Sequence, residues 1–181
     1  MGNSTEIKTM DGKILKIDDR KNEKFLRRKA ADFDFKKFSR KEINELVSKM
    51  KKAMRQARGI GLSANQIGLN VKVFVAEVPS PNGNAKFYAV FNPKIEKVGL
   101  EKIAFEEGCL SVPQTYGRVE RPTRVMLKGY DKNGKPLKIK AWGLLARVLQ
   151  HEVDHLNGVL FIDKAKNIHA VSLTEKLENS K

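Results

Sequence analysis

Apolar side chains at Ile43, Leu46, Val47, Met50 and Met54 recur at the three-and-four spacing that lines one face of a helix. Ser39 stands just before this run and Glu42 follows three residues later, the pair that closes a capping box. The spacing therefore predicts a helix that starts after Ser39 and ends before Gly59. Beyond it the period changes. Residues 71–75 and 86–91 are short runs rich in branched and aromatic side chains, separated at 79–84 by Pro, Gly and Asn, and read as strands around a turn. Residues 124–128 and 137–140 flank 131–134 as a hairpin. Helical spacing returns from about 142 to 156 through Leu145, Val148, Leu149, Glu152, Val153 and Leu156, with Gly158 placed to stop the helix in a left-handed conformation. A weaker pattern through Val171, Leu173 and Leu177 suggests a short amphipathic helix in a polar tail that begins at about 164.

These elements describe an α+β fold: one domain over 1–181, with antiparallel or mixed sheets packed around a central helix. Hydrophobic residues make up 40% and charged residues 31%, which suits a packed globular chain and excludes a fibrous or disordered one. Cys109 is the single cysteine, so no intramolecular disulfide can form and a reducing compartment is expected, a bacterial cytosol first and an organelle second. The first residues lack an apolar targeting core, and charges interrupt every apolar run short of the roughly 20 residues needed to cross a bilayer; no membrane partner is expected. Lys and Arg outnumber Asp and Glu by 36 to 21, a formal charge of +15. That surplus allows a polyanionic partner such as RNA, or merely a lysine-rich solvated surface. The basic clusters at 21–29, 40–58 and 132–140 show no interleaved aromatics of the kind that stack on bases.

The candidate chemistry lies on the second helix. His151-Glu152-Val153-Asp154-His155 is an H-E-x-x-H motif, and residues four apart on a helix project side by side. Two imidazoles can then bind one ion, with Glu152 beside the water on that ion. A catalytic site of this type takes a third protein ligand and leaves one position open. Cys109, in Glu107-Gly108-Cys109-Leu110-Ser111, is the leading candidate, although a lone cysteine is more often an inert buried residue. A third segment, Gly59 to Gly68, combines three glycines with Gln66, whose amide could meet an oxyanion; it could also be a plain glycine-rich turn.

Together the segments Gly59 to Gly68, Glu107 to Ser111 and Gln150 to Gly158 resemble the peptide deformylase family, which carries G-x-G-L-x-A-x-Q-x-G, E-G-C-L-S and Q-H-E-x-D-H-L-x-G in this order. The likeness runs from about residue 5 to 165, and Ser63 stands where the first motif usually has alanine. The resemblance implies a metallohydrolase that removes the formyl group from N-terminal formyl-methionine of newly made polypeptides and releases formate. It implies Cys109, His151 and His155 as metal ligands, Fe(II) as the native ion with Zn(II), Ni(II) or Co(II) as substitutes, and Glu152 as the residue that takes the water proton. Gln66 and the Leu110 backbone N–H would meet the oxyanion, Gly61 would hold the peptide, and Ile60, Leu144 and Val148 would line the methionine pocket. Arg147 is expected at the pocket rim or in solvent, Glu107 with Arg121 in a buried pair, Asp154 orienting a neighbour, and His169 at the surface. Formyl-methionyl nascent peptides are the expected partner, with ribosome association through the basic surface a further expectation.

Two rival readings remain open on sequence alone. One is a zinc protease with an acidic third ligand such as Glu175; the other is a basic RNA-binding protein with a structural metal.

Overall fold

The computed structural model describes residues 12–79 and 83–171. Helix α1 covers Arg20–Leu26, and α2 covers Arg40–Gln56. The α2 cap is the one its sequence calls for: Ser39 Oγ accepts from the Glu42 N–H at 3.2 Å, and Glu42 returns the bond by accepting from the Ser39 N–H at 2.8 Å. Ile43, Leu46, Val47, Met50, Ala53 and Met54 form its buried stripe.

Two antiparallel sheets follow. The larger has the order β1-β2-β3-β6-β7 and is built from β1 (Gly61–Ser63), β2 (Val73–Pro79), β3 (Ala85–Val98), β6 (Arg124–Tyr130) and β7 (Pro136–Trp142). The smaller has the order β4-β5-β8, from β4 (Lys102–Cys109), β5 (Val112–Pro122) and β8 (Lys166–Ala170). Helix α3 (Gly143–Leu156) packs against the larger sheet. Its Ala146, Val148 and Leu149 meet Phe74, Val90, Val125, Leu127, Ile139 and Ala141 in one core cluster. A second cluster lies between α2 and the β1-β2 edge, around Leu46, Met50, Met54, Leu62 and Val75. None of the helices among the described residues is long and apolar enough to cross a membrane.

Three elements differ from their sequence patterns. The strand expected at 86–91 continues to Val98, because Asn92 takes a left-handed conformation (φ 48°) and carries the chain through a bulge past Pro93. Asn92 compensates for the break with its side chain, which accepts from the Phe33 N–H at 2.6 Å and donates to the Phe33 carbonyl at 2.9 Å. The strand expected at 71–75 starts only at Val73, since Val71 makes an isolated parallel bridge to Ala31. Residues 166–170, expected as polar tail, are exposed but form β8 against β5. The weaker helical pattern at Leu173 and Leu177 lies outside the described residues, as do 80–82 of the β2–β3 turn.

The end of α3 is specified in detail. The Val159 N–H reaches the Asp154 carbonyl and the Gly158 N–H the His155 carbonyl, both at 3.0 Å, with Gly158 at φ +76°. A Cβ on Gly158 would collide with the Arg27 carbonyl group. Left-handed strain and overpacking together put Gly158→Ala at about 2–4 kcal/mol of lost stability. Thermal unfolding should fall by roughly 5–15 °C; an unchanged midpoint would refute this account of the cap.

Candidate metal centre

Helix α3 places His151 and His155 one turn apart, with ring centroids 4.9 Å from each other. Strand β4 delivers Cys109 from the opposite side at its C-terminal end, where a bulge at Gly108 and Cys109 precedes the turn to β5. Cys109 Sγ lies 3.1 Å from His155 Nε2. The three donor atoms all fall within 4.8 Å of one another, and they are the one such group among the described residues. A tetrahedral ion at about 2.0–2.3 Å from imidazole nitrogen and thiolate sulfur needs donors at about this separation.

The electrostatics fit a cation at this point. Burial pushes the Cys109 thiol up, yet the neighbouring imidazoles outweigh it and hold the group well below its ordinary value, as a thiolate. Burial alone would lower His151, but its bonds to Cys109 and Glu107 and the charges of Cys109 and Glu152 raise it to about 10. The pocket thus favours one positive charge where the donors meet, carried by a proton in the metal-free protein and suited to a divalent ion in its place. The donor set and its surroundings fit a metal.

Glu107 fixes the orientation of His151. Its Oε2 lies 3.1 Å from His151 Nδ1, which turns Nε2 toward Cys109. Its carboxylate receives a fork from Arg121 at 2.6 and 2.9 Å and a third bond from Arg147 at 2.6 Å. Burial pushes Glu107 up, but Arg121 and His151 overcome it and hold the carboxyl at about 2. A depressed acid contributes stability that is complete above its unfolded value, so this support is full above about pH 4.5 and is lost progressively as pH falls to about 2. Arg121 also donates to Asp154 at 2.7 Å, and Lys164 covers Asp154 from outside. The Glu107–Arg121 pair and the orienting contact of Asp154 match the sequence pattern. Arg147 is not free in solvent: it is half-buried, bonding Glu107, the Val119 carbonyl and the Ile103 carbonyl, and so straps α3 to β4 and β5. Replacing Glu107 by Gln should weaken metal affinity about 10- to 100-fold. Metal competition titration checks this, and unchanged affinity would leave Glu107 only a structural role.

Glu152 is buried beside the donors, and burial pushes its carboxyl above its ordinary value against the pull of the two imidazoles. A raised carboxyl suits a group that must take up and release a proton near neutral pH. Ser63 Oγ lies 2.7 Å from Glu152 Oε2 and 3.0 Å from the Glu152 carbonyl oxygen. Gly61 is required here, because a Cβ would meet the Glu152 carboxylate, with its Cδ 2.9 Å away. The 3-10 turn Ala64–Ile67 then presents Gln66. Its Oε1 accepts from the Ser63 N–H at 2.8 Å, which leaves Nε2 to donate to Ser111 Oγ at 3.1 Å and to face Cys109 Sγ at 3.6 Å. Asn65 donates to the His155 carbonyl at 2.6 Å.

The structure therefore gathers Gly61, Gln66, Cys109, His151, Glu152 and His155 into one place. Leu110 lies in the tight turn after Cys109. Val148 is buried with its methyl group beside Gly61, whereas Ile60 and Leu144 are 43% and 48% exposed. His169 is exposed on β8. Ser63, Asn65 and Ser111 were not singled out by the sequence pattern; their contacts reach across distant segments, and nothing local signals them.

A thiolate and an H-E-x-x-H helix joined inside an antiparallel α+β shell make this chain a metal-dependent hydrolase. The chain belongs to the polypeptide deformylase family, whose model matches residues 12–171. It is 43% identical over 131 residues to the peptide deformylase of Picosynechococcus, covering 72% of this chain and 70% of that one. Among solved structures it is similar to a probable peptide deformylase from Synechococcus phage S-SSM7, at 42% identity and TM-score 0.75 over 84% of this chain and 98% of that one. It is also similar to the Synechococcus elongatus peptide deformylase in complex with actinonin, at 38% identity and TM-score 0.75 over 88% and 80%. Its activity is the removal of formyl groups from nascent peptides.

Proposed function

We propose that Cys109, His151 and His155 hold a single divalent ion, natively Fe(II) and replaceable by Zn(II), Ni(II) or Co(II), and that Glu152 is the proton carrier for hydrolysis of the N-terminal formyl-methionine amide. The observation that carries this reading is the convergence of three ligating atoms within 4.8 Å, next to a buried carboxyl raised above its ordinary value. When bound, the ion supplies Lewis acidity that brings the pKa of water toward about 7. Glu152 accepts the proton from that water and returns it to the departing amine. The Gln66 amide and the Leu110 N–H stabilise the oxyanion, one such donor being worth about 100-fold or more.

The substrate backbone adds to the free edge of β1 at Gly61. Among the described residues strand β1 pairs with β2 alone and ends the larger sheet, so its outer side offers main-chain partners to an extended peptide. The methionine side chain packs on Ile60, Leu144 and Val148. The basic surface serves association with the ribosome where formylated chains emerge, and a single thiol needed as a ligand suits the reducing cytoplasm.

Formate release from a formyl-Met-peptide tests the reading. The nickel- and iron-loaded proteins should both turn over, and the iron form should lose activity in air while the nickel form keeps it. No formate from either form would overturn the proposal.

A further inference from the structure

We propose that the solvent face of β3, β6 and β7 binds single-stranded RNA, with its excess of cations holding the phosphates and exposed aromatic rings at its two ends stacking on bases. Along β6 and β7 the inward residues Val125, Leu127, Ile139 and Ala141 pack against α3. The alternate positions point out: Arg124, Lys128 and Tyr130 on β6, and Lys138, Lys140 and Trp142 on β7 are all exposed. The register sets Lys128 directly between Lys94 and Lys138, and Met126 between Lys97 and Lys140.

Like charges directly opposite on neighbouring strands are destabilising. On this face the only relief is one acid set among Lys94, Lys128 and Lys138. Glu96 is its single acid, bonded to Lys128 at 2.8 Å. Among the described residues Lys97, Arg124, Lys138 and Lys140 form no ion pair. Two adjoining concavities, about 780 and 380 Å³, lie along the face and share Lys138.

Trp142 borders the first concavity and is 66% exposed; Tyr130 borders the second and is 41% exposed. Six strand steps along β6, at about 3.4 Å each, separate the two ends by about 20 Å. Cations between terminal aromatic rings, set in a groove, match an extended strand whose bases are free to stack. A duplex hides its bases, so the terminal rings would have nothing to stack on. The face points away from α3, so a bound strand leaves Cys109, His151, His155 and the Gly61 edge free. Pairing the strands puts one exposed aromatic ring at each end of the cations, an arrangement not visible along the chain.

The proposal deepens the reading of ribosome association and rests on it for why RNA is close by, but binding is measured without activity. Trp142 is the chain's single tryptophan, so quenching of its fluorescence by octaadenylate at low salt reports binding directly. Lys138→Gln with Lys140→Gln should weaken binding at least tenfold, and lower the slope of log affinity against log salt by about 1.4. Formyl-Met-peptide turnover should be unchanged. The equally exposed pair Lys41→Gln with Lys52→Gln should leave both unchanged. Trp142→Ala should lose about tenfold, read by anisotropy of labelled octaadenylate, and Trp142→Phe should restore most of it. Equal losses from the control pair, an unaltered salt slope, or binding to anionic vesicles but not to octaadenylate would overturn the proposal. Turnover without RNA binding defeats this inference alone; RNA binding without turnover defeats the catalytic reading alone.

Discussion

Glu152→Gln should bind metal as the wild type does, fold normally, and release formate about 10²- to 10⁴-fold more slowly, the range expected when a positioned acid–base group is lost. The change is nearly isosteric, and Ser63 Oγ can still donate to the side-chain oxygen that Oε2 now provides. Glu152 is buried and outside the ligating trio, so the loss belongs to proton transfer and not to metal loading. The kcat and kcat/KM values should fall together, since a proton acceptor acts in the transition state and not in binding. Equal metal content with wild-type turnover would refute the assignment of the base.

The parts of this site readable from the sequence are those governed by a local period. Helical spacing alone sets His151 and His155 on one face of α3, and the Ser39–Glu42 cap and the Gly158 stop follow from short-range chemistry. Cys109 is different. Its approach to His155 depends on how β4 lies against α3, 46 residues apart in the chain; the missing third ligand makes it a candidate beside the reading of an inert buried thiol, and only the family resemblance chooses between the two. Ser63 and Arg147 escaped for the same reason, because a serine in a glycine-rich stretch and an arginine on a helix have no local mark of the buried partners that tertiary packing gives them. Strand β8 was missed because every residue in it is exposed, which removes the alternation that signals a half-buried strand. The extension of β3 past Pro93 was missed because proline ordinarily breaks a ladder, and only the Asn92 contacts to Phe33 show how the break is tolerated.

The same division explains the charge. Counting lysines along the chain yields clusters without a pattern, whereas pairing β3, β6 and β7 puts Lys94, Lys128 and Lys138 in one row. Like charges in register oppose sheet formation, and the apolar inner face of the same strands offsets that cost by burial against α3. One surface of the sheet thereby stabilises the fold while the other stays available for a polyanion.

Removing the sulfur should have the most complete effect. Cys109→Ala leaves two imidazoles, and its affinity should fall by more than the roughly 100-fold upper range for loss of an outer-shell partner, since a direct ligand is gone. The purified variant should hold far less than one equivalent of metal and show no formate release above background. Cobalt-substituted wild type should show thiolate-to-metal charge-transfer absorption that the variant lacks. A ligand bound only by the native state raises its stability, so a chelator should lower the unfolding midpoint of the wild type and leave that of Cys109→Ala unmoved. The alanine removes little volume, and Val112, Val119 and Phe161 keep the surrounding cluster packed, so the metal-free variant should still unfold cooperatively. A protease-type centre completed by a downstream acid predicts the opposite: one equivalent of metal retained in Cys109→Ala. That outcome would remove the thiolate from the site and the ligand set proposed here with it.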